Sequence, residues 1–343
     1  MSGVQHVSVG PDEAEQRLDR WLRRQFPQVT QGMVEKFCRK GALRVDGSRA
    51  KASTRVAPGQ VIRVPPLPDA PAPALEQAPR MPDGALIAEL TKRVLYRDED
   101  VLVIDKPAGL AVQGGTNQVM HLDAALAGLA FGKDTPPRLV HRLDRDTSGV
   151  MVLARTGAAA TALTRLFRGR SVEKTYVAAV AGQPKPEAGT IRWGLVKAGG
   201  RGAEKMRPVH PDEIGPTPGA QSAVTDYRLV ETAAGRASAV LMRPVTGRTH
   251  QLRVHMSALG TPIVGDGKYG GRGQENQGDG WGASLGQGLS RKLHLHAARL
   301  GFPHPRRDGQ RVTVTAPLPD HMARTWAMFG WQAPTAFPPL DDG

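Results

Sequence analysis

Seven prolines between positions 65 and 82, in the run PPLPDAPAPALEQAPRMP, divide this 343-residue chain. Proline lacks a backbone N–H and holds φ at about −65°, so such a run fits neither a helix interior nor a central strand and reads as an extended, semi-rigid spacer. The segments on either side must each bury a core of their own. The expected organisation is a compact unit over residues 1–64, a linker over 65–92, a large domain over 93–330 and a tail over 331–343.

In the first unit, Pro11 with Asp12 and Glu13 reads as a helix start whose acids suit the positive end of the helix dipole. Leu18, Trp21 and Leu22 then recur at helical spacing and predict a core-facing stripe. A second helix is expected between a Thr30 cap and a Gly41 stop, with Val34, Phe37 and Cys38 inward and Lys36, Arg39 and Lys40 outward. Asp46-Gly47 after LRV, and Pro58-Gly59 before VIRV, are turn signals of small hairpins.

Charge separates this unit from an ordinary solvated domain. The chain carries a formal +14 and a pI of about 10.4, and residues 1–64 hold 12 Lys and Arg against six acids. Less than a fifth of the length thus contributes over two-fifths of the excess, which favours a polyanion-binding module, since basic residues near phosphates release condensed counterions. The single cysteine, Cys38, excludes an internal disulfide and a cysteine-based zinc site. The first residues lack the basic and apolar regions of a secretory signal, and no apolar run approaches the length of a membrane span. The expectation is a cytoplasmic protein with no membrane association.

Beyond the spacer, VLVIDK, VMVLAR, TYVAAVAG, VTDYRLVE and SAVLMRPV read as strands, with a helix through Leu163, Leu166 and Phe167 after VMVLAR. The expected class is α+β: a large domain with a mixed, mostly antiparallel β-sheet flanked by helices and loops, plus a small α/β domain. Gly270 to Gly288 reads as a mobile surface loop.

Two clusters concentrate reactive side chains. HRLDRDTSG, His141 to Gly149, sets two carboxylates, two arginines and a histidine against apolar flanks, which is costly unless they pair or do chemistry. The residues alone leave both readings open, since Asp144 and Asp146 could simply neutralise Arg142 and Arg145. The second cluster, Pro244 to Gly270, holds Arg248, His250, Arg253 and His255 in what reads as an alternating strand-like or turn segment. His250 with His255, or His294 with His296, lacks further ligands at a convincing spacing, so no metal is expected.

Taken with their neighbours, these motifs strongly resemble the RluA family of pseudouridine synthases. VLYRDEDVLVIDKPAGLAVQGG, LVHRLDRDTSGVMVLART, EKTYVAAVAG and RPVTGRTHQLRVHMSALGTPIVGDGKYG stand in family order over roughly residues 90 to 300. RLDRWL, VEKFCRKGALRVDG and PGQVIRVP resemble the S-four-type RNA-binding domain, so the whole looks most like the RluC branch, which acts on large-subunit ribosomal RNA.

The resemblance implies an enzyme that breaks the glycosidic bond of a uridine, turns the uracil and rejoins it through carbon 5, with no cofactor. It makes Asp144 the catalytic carboxylate, Arg253 the guanidinium that keeps it ionised, Tyr176 the residue that stacks on the base and helps remove the carbon-5 proton, and Arg142 the side chain that enters the RNA helix as the target is extruded. Extrusion is required because a stacked, paired uridine hides its reacting atoms. It also implies RNA contacts from Lys36, Arg39, Lys40 and Arg44. Arg17, Arg248 and His250 are added to that set as basic or RNA-facing residues. Arg142 paired to Asp146, or Tyr176 filling a core, remain the plain structural readings. A monomer with no obligatory protein partner is expected. The alternatives are a non-catalytic RNA-binding factor in ribosome assembly, and a synthase acting on transfer RNA.

Overall fold

The computed structural model describes residues 3–10, 13, 16–67, 84–114, 120–169, 171–199, 205–270, 289–334, 337 and 340. The chain separates into two units, Met1–Arg80 and Met81–Gly343. Most of the spacer, residues 68–83, and the glycine-rich stretch from residue 271 to 288 lie outside the described residues.

In the first unit, β1 (Gln5–Ser8), β2 (Arg44–Val45), β3 (Ser48–Arg49) and β4 (Val61–Val64) form an antiparallel sheet in the order β1-β4-β2-β3. Helices α1 (Leu18–Gln25) and α2 (Gln31–Lys40) complete it. Leu18, Trp21, Leu22, Val34, Leu43 and Ile62 are fully buried in one cluster. Helix α2 starts and stops as its sequence demands: Thr30 Oγ1 accepts from Met33 N–H, and Gly41 at φ 66° turns its N–H back onto the Phe37 and Cys38 carbonyls.

Helix α1 begins later than the Pro11 signal implies. Arg17 is extended at ψ 141°, and Glu13 accepts from Gly10 N–H (3.0 Å) and from the Trp21 indole (2.8 Å). That carboxylate closes a turn ahead of the helix; Pro11, Asp12, Ala14 and Glu15 are outside the described residues.

The second unit opens with a helix where linker was expected. Gly84–Lys92 forms α3, and Leu90 is fully buried against Leu102 and Ile104 with Leu86 and Ile87 packed beside it. Ala, Leu and Glu are strong helix formers, and an apolar stripe with somewhere to pack decides the matter over proximity to prolines.

A ten-stranded sheet dominates this unit. Its order is β10 (Ala188–Ile191), β13 (Thr225–Ala233), β14 (Ala237–Pro244), β9 (Glu173–Ala181), β15 (Leu295–Pro303), β8 (Ser148–Ala154), β6 (Val101–Lys106) and β5 (Val94–Arg97), with β7 (Arg138–Leu139) on β8 and β16 (Arg311–Thr315) on β15. All pairings are antiparallel except β8 with β15. A separate ribbon joins β11 (Gly194–Lys197) to β12 (Met206–Val209). Both faces are covered. Met151 and Leu153 pack on the side of α3 and α4 (Leu122–Ala125), while Val150, Val152 and Ala154 pack on the side of α5 (Gly157–Arg168). Burial on both faces is why VMVLA reads as an unbroken apolar run.

The segment expected to be strand-like around His250 and Arg253 is instead helix α6 (Gln251–Ala258), entered through His250 at φ 54°. Residues 251–256 are all buried, so no solvent-facing polar stripe reveals a helical period. The last helix, α7 (Asp320–Phe329), packs Met322 and Trp326 under the sheet.

Gly149 fixes how β8 meets β15. Its φ is 111°, and a Cβ there would lie 2.2 Å from the Ala297 carbonyl oxygen. Gly149→Ala is therefore expected to cost at least about 3 kcal/mol, since backbone cannot yield as a side-chain tip can. A urea unfolding curve gives the number, and a loss below about 1 kcal/mol would mean that the strands separate freely.

Candidate active site

The turn that carries Asp144 is held from three sides. The Thr147 N–H donates to the Asp144 carbonyl (3.2 Å). His141 stacks on Phe167 with ring centroids 4.2 Å apart, and its Nε2 accepts from Val152 N–H (2.9 Å), so the ring is neutral with its proton on Nδ1. Burial and the nearby Lys174 ammonium push the His141 pKa down to about 3.

The third anchor is Lys106, which the sequence reading passed over. It ends β6 with no exposed surface, and its Nζ donates to the carbonyls of Pro107 (2.9 Å), Leu110 (2.9 Å) and Arg145 (3.0 Å). Three acceptors match the three protons of an ammonium. Gly109 N–H also reaches the Arg145 carbonyl (2.9 Å), and Arg145 Nε returns to the Gly109 carbonyl (3.2 Å). Burial pushes Lys106 down to about 7, against the attraction of Asp146, Asp144 and Asp105. A charge closing the apolar run VLVID just before a proline was the available signal.

Asp144 opens into a cavity of about 360 Å³, a size typical of small-ligand sites. It is the only carboxylate among the described residues lining that space, whereas Arg142, Arg168, Lys174, Arg248 and Arg253 all line it. Tyr176 comes from β9 and Arg253 from α6, so a sheet strand and a helix start converge on the turn.

Arg253 is brought to the site but does not fork onto Asp144. Its Nε and Nη2 donate to the two oxygens of Asp266 at 2.8 and 2.7 Å, with both side chains almost fully buried. Asp266 also accepts from the backbone N–H groups of Lys268 (2.9 Å) and Tyr269 (3.0 Å). Arg253 therefore acts on Asp144 through its field, and the pKa of Arg253 is raised mainly by the Asp266 hydrogen bond, with Asp144 adding to it, against burial.

His250, expected on the RNA-facing surface, is buried, with Nε2 at 4.0 Å from Asp144 Oδ2 and Nδ1 at 2.7 Å from Tyr269 Oη. That phenol oxygen already accepts from Met206 N–H (2.9 Å), so we assign its proton to His250 Nδ1. The imidazole proton then sits on Nε2, facing Asp144. Burial lowers the His250 pKa, with Asp144 opposing that shift.

Tyr176 is pushed well above the usual tyrosine range by burial and by Asp144, so its hydroxyl is a neutral phenol at physiological pH. Tyr176→Phe is accordingly expected to leave the shape of the kcat–pH profile between pH 7 and 10 unchanged. Loss of an alkaline limb in the variant would show that a phenolate takes part.

Of the remaining site candidates, Arg142 is exposed at the cavity and Arg248 is exposed with Nε on the Ser222 carbonyl (3.1 Å). Asp146 meets Arg145 at 3.8 Å. In the first unit, Lys36, Arg39 and Lys40 are exposed along α2. Arg44 instead donates to the carbonyls of Gly41 (3.1 Å) and Gly47 (2.9 Å), and Arg17 is forked on Asp19. His255, His294 and His296 are buried, each near pKa 4, with ring nitrogens on Thr225, Thr325 and Ser148 hydroxyls. Among the described residues no group of three His, Cys, Asp or Glu gathers as metal ligands, and no helix is long and apolar enough to cross a membrane.

The chain matches the family described as RNA pseudouridylate synthase over residues 100–258 and the S4 domain over residues 16–62. It is 34% identical over 322 residues to the Vibrio cholerae protein named Ribosomal large subunit pseudouridine synthase C, covering 93% of this chain and 95% of that one. The chain belongs to the RNA pseudouridylate synthase family. The Escherichia coli K12 synthase of the same name is also 34% identical, over 94% of this chain and 95% of its own. Among solved structures, Human RNA Pseudouridylate Synthase Domain Containing 4 superposes with a TM-score of 0.58 at 30% identity, covering 73% of this chain and 98% of its own. The synthase is thus an isomerase, and its small unit is an S4 domain.

Proposed function

We propose that this pseudouridine synthase acts on uridines of large-subunit ribosomal RNA, with Asp144 as the carboxylate that makes and breaks bonds at the target. What carries the reading is the cavity: one carboxylate in a nucleotide-sized space whose other charged lining residues, among those described, are five cations. Such a space attracts a polyanion and leaves Asp144 as its one anionic nucleophile.

Each neighbour then has a task. Asp144 attacks the target covalently, at sugar or base, or removes a sugar proton; each route divides the exchange of the nitrogen bond for the carbon bond into smaller steps. Lys106 fixes the turn that carries it, Arg253 lines the same cavity, and the Nε2–H of His250 faces it. Tyr176 offers an aromatic face to the extruded uracil, and the exposed Arg142 is placed to fill the gap left in the RNA helix. Lys36, Arg39 and Lys40 give the S4 domain an exposed cationic helix face for phosphates.

Ribosomal RNA is preferred to transfer RNA because relatives that match nearly end to end carry large-subunit names. A cytoplasmic location is the accompanying reading, since a single cysteine forms no internal disulfide. The test incubates the protein with tritium-labelled large-subunit RNA and transfer RNA transcripts and counts tritium released from carbon 5. Release from the ribosomal transcript alone supports the reading; release from transfer RNA alone overturns the substrate class and keeps the chemistry.

A further inference from the structure

Lys174 is a cation of the cavity with no part in the chemistry at Asp144. It lies on β9 two residues before Tyr176, hence on the same face of the strand, and it lines the same cavity as Asp144. Burial lowers its pKa and no compensating charge raises it. Among the described residues none gives its ammonium a hydrogen bond or an ion pair.

An ordinary explanation would be a lysine that buries its stem and lifts its head into bulk water. The surroundings argue otherwise. Arg168, from the end of α5, lines the same space and has no carboxylate partner among the described residues. Arg168 also suits the negative end of the α5 dipole, but that role places no demand on Lys174. Two cations without a carboxylate line one space, and a half-buried ammonium without an anion is costly, so the free enzyme holds this arrangement for a ligand that brings negative charge.

We propose that Lys174, with Arg168, forms a phosphodiester-binding subsite on the cavity wall that grips the backbone phosphate adjoining the extruded uridine. The separation along β9 fits this: two residues of strand span about 7 Å, comparable with the reach from base to backbone phosphate in one nucleotide. With the uracil against Tyr176, its flanking phosphate falls at Lys174. The phosphate supplies the charge the site lacks, and the grip holds the nucleotide out of its helix while the base is turned. Lys174 is then a positioning residue whose contact forms only with RNA in place. The inference rests on the enzyme acting within an RNA strand, which turnover by the wild type checks separately.

The experiment uses a short stem-loop RNA containing a uridine that the wild-type enzyme converts, and a set of the same RNA with single methylphosphonates at each position around the target. Each substitution neutralises one phosphate. With wild type, one position next to the target is expected to raise KM about tenfold. Lys174→Met, which keeps the stem and removes the charge, is expected to raise KM by a similar factor on the unmodified RNA. Combined with the neutral phosphate at that position, it should bring no further loss, because both changes remove one shared contact. Lys174→Arg should recover most of the affinity. The thermal midpoint of Lys174→Met should stay the same or rise, since an unpaired buried charge is gone. Losses that multiply at every position, or a lowered midpoint that accounts for the loss of activity, would overturn the subsite.

Discussion

Asp144→Asn is expected to slow conversion of uridine by at least about 10⁴-fold while leaving RNA affinity within about threefold of wild type. The substitution is nearly isosteric and removes only the charge and the nucleophilic oxygen. Among the described residues the Asp144 side chain makes no hydrogen bond, and the turn is fixed through its carbonyl on Thr147 N–H, through His141 and through the Lys106 ammonium. Stability should therefore hold, and a loss of activity would report on chemistry. Single-turnover conversion with enzyme in excess, beside an RNA-retention binding curve, separates the two quantities. A variant that kept a tenth of the wild-type rate would exclude Asp144 from bond making.

Arg253→Met is expected to destabilise the catalytic domain by about 3–5 kcal/mol as well as to impair turnover. The fork on Asp266 is buried, with side-chain exposures of 5% and 0%, so removing the guanidinium strands a carboxylate out of reach of water. Two backbone N–H groups would still hold Asp266, which keeps the cost from running higher. Arg253→Met combined with Asp266→Leu should recover much of the stability, because no unpaired charge remains. Urea unfolding of the single and double variants at pH 7 measures this. If the double variant regains stability and stays inactive, the field of Arg253 at Asp144 is needed in its own right. A single variant within about 1 kcal/mol of wild type would mean that the fork is not a buried pair.

Local signals in the chain spoke clearly wherever local physics decides. Thr30 and Gly41 bound α2 because capping and a left-handed stop involve neighbours within a few residues. The apolar runs of β6 and β8 identified the central strands because both faces of the sheet are covered. The same coverage hid α6: with Gln251 to Met256 all buried, its charged residues alternate without a solvent face. Helix α3 was absorbed into the spacer because its apolar stripe gains meaning only from the core it packs on.

The candidate site was legible in its cluster of charges and less so in its wiring. HRLDRDTSG stands out because carboxylates beside an apolar strand demand a reason, but the residues alone left a salt-bridged turn open, and the family resemblance is what singles out Asp144. The partners of the turn come from far along the chain, and only the fold joins them: Lys106 reaches the Arg145 carbonyl across 39 positions, and Arg253 finds Asp266 across 13. Arg253 and His250 stand three positions apart in one cluster, yet one is forked on a carboxylate and the other is tied to Tyr269 beside Asp144.

Incubating the protein with unmodified large-subunit ribosomal RNA, then mapping pseudouridine by chemical labelling and primer extension beside the Asp144→Asn variant, tests the central claim most directly. The account predicts new stops at a small set of uridines with wild type and none with the variant. Equal stops from both proteins, or none from wild type on a correctly folded transcript, would contradict it.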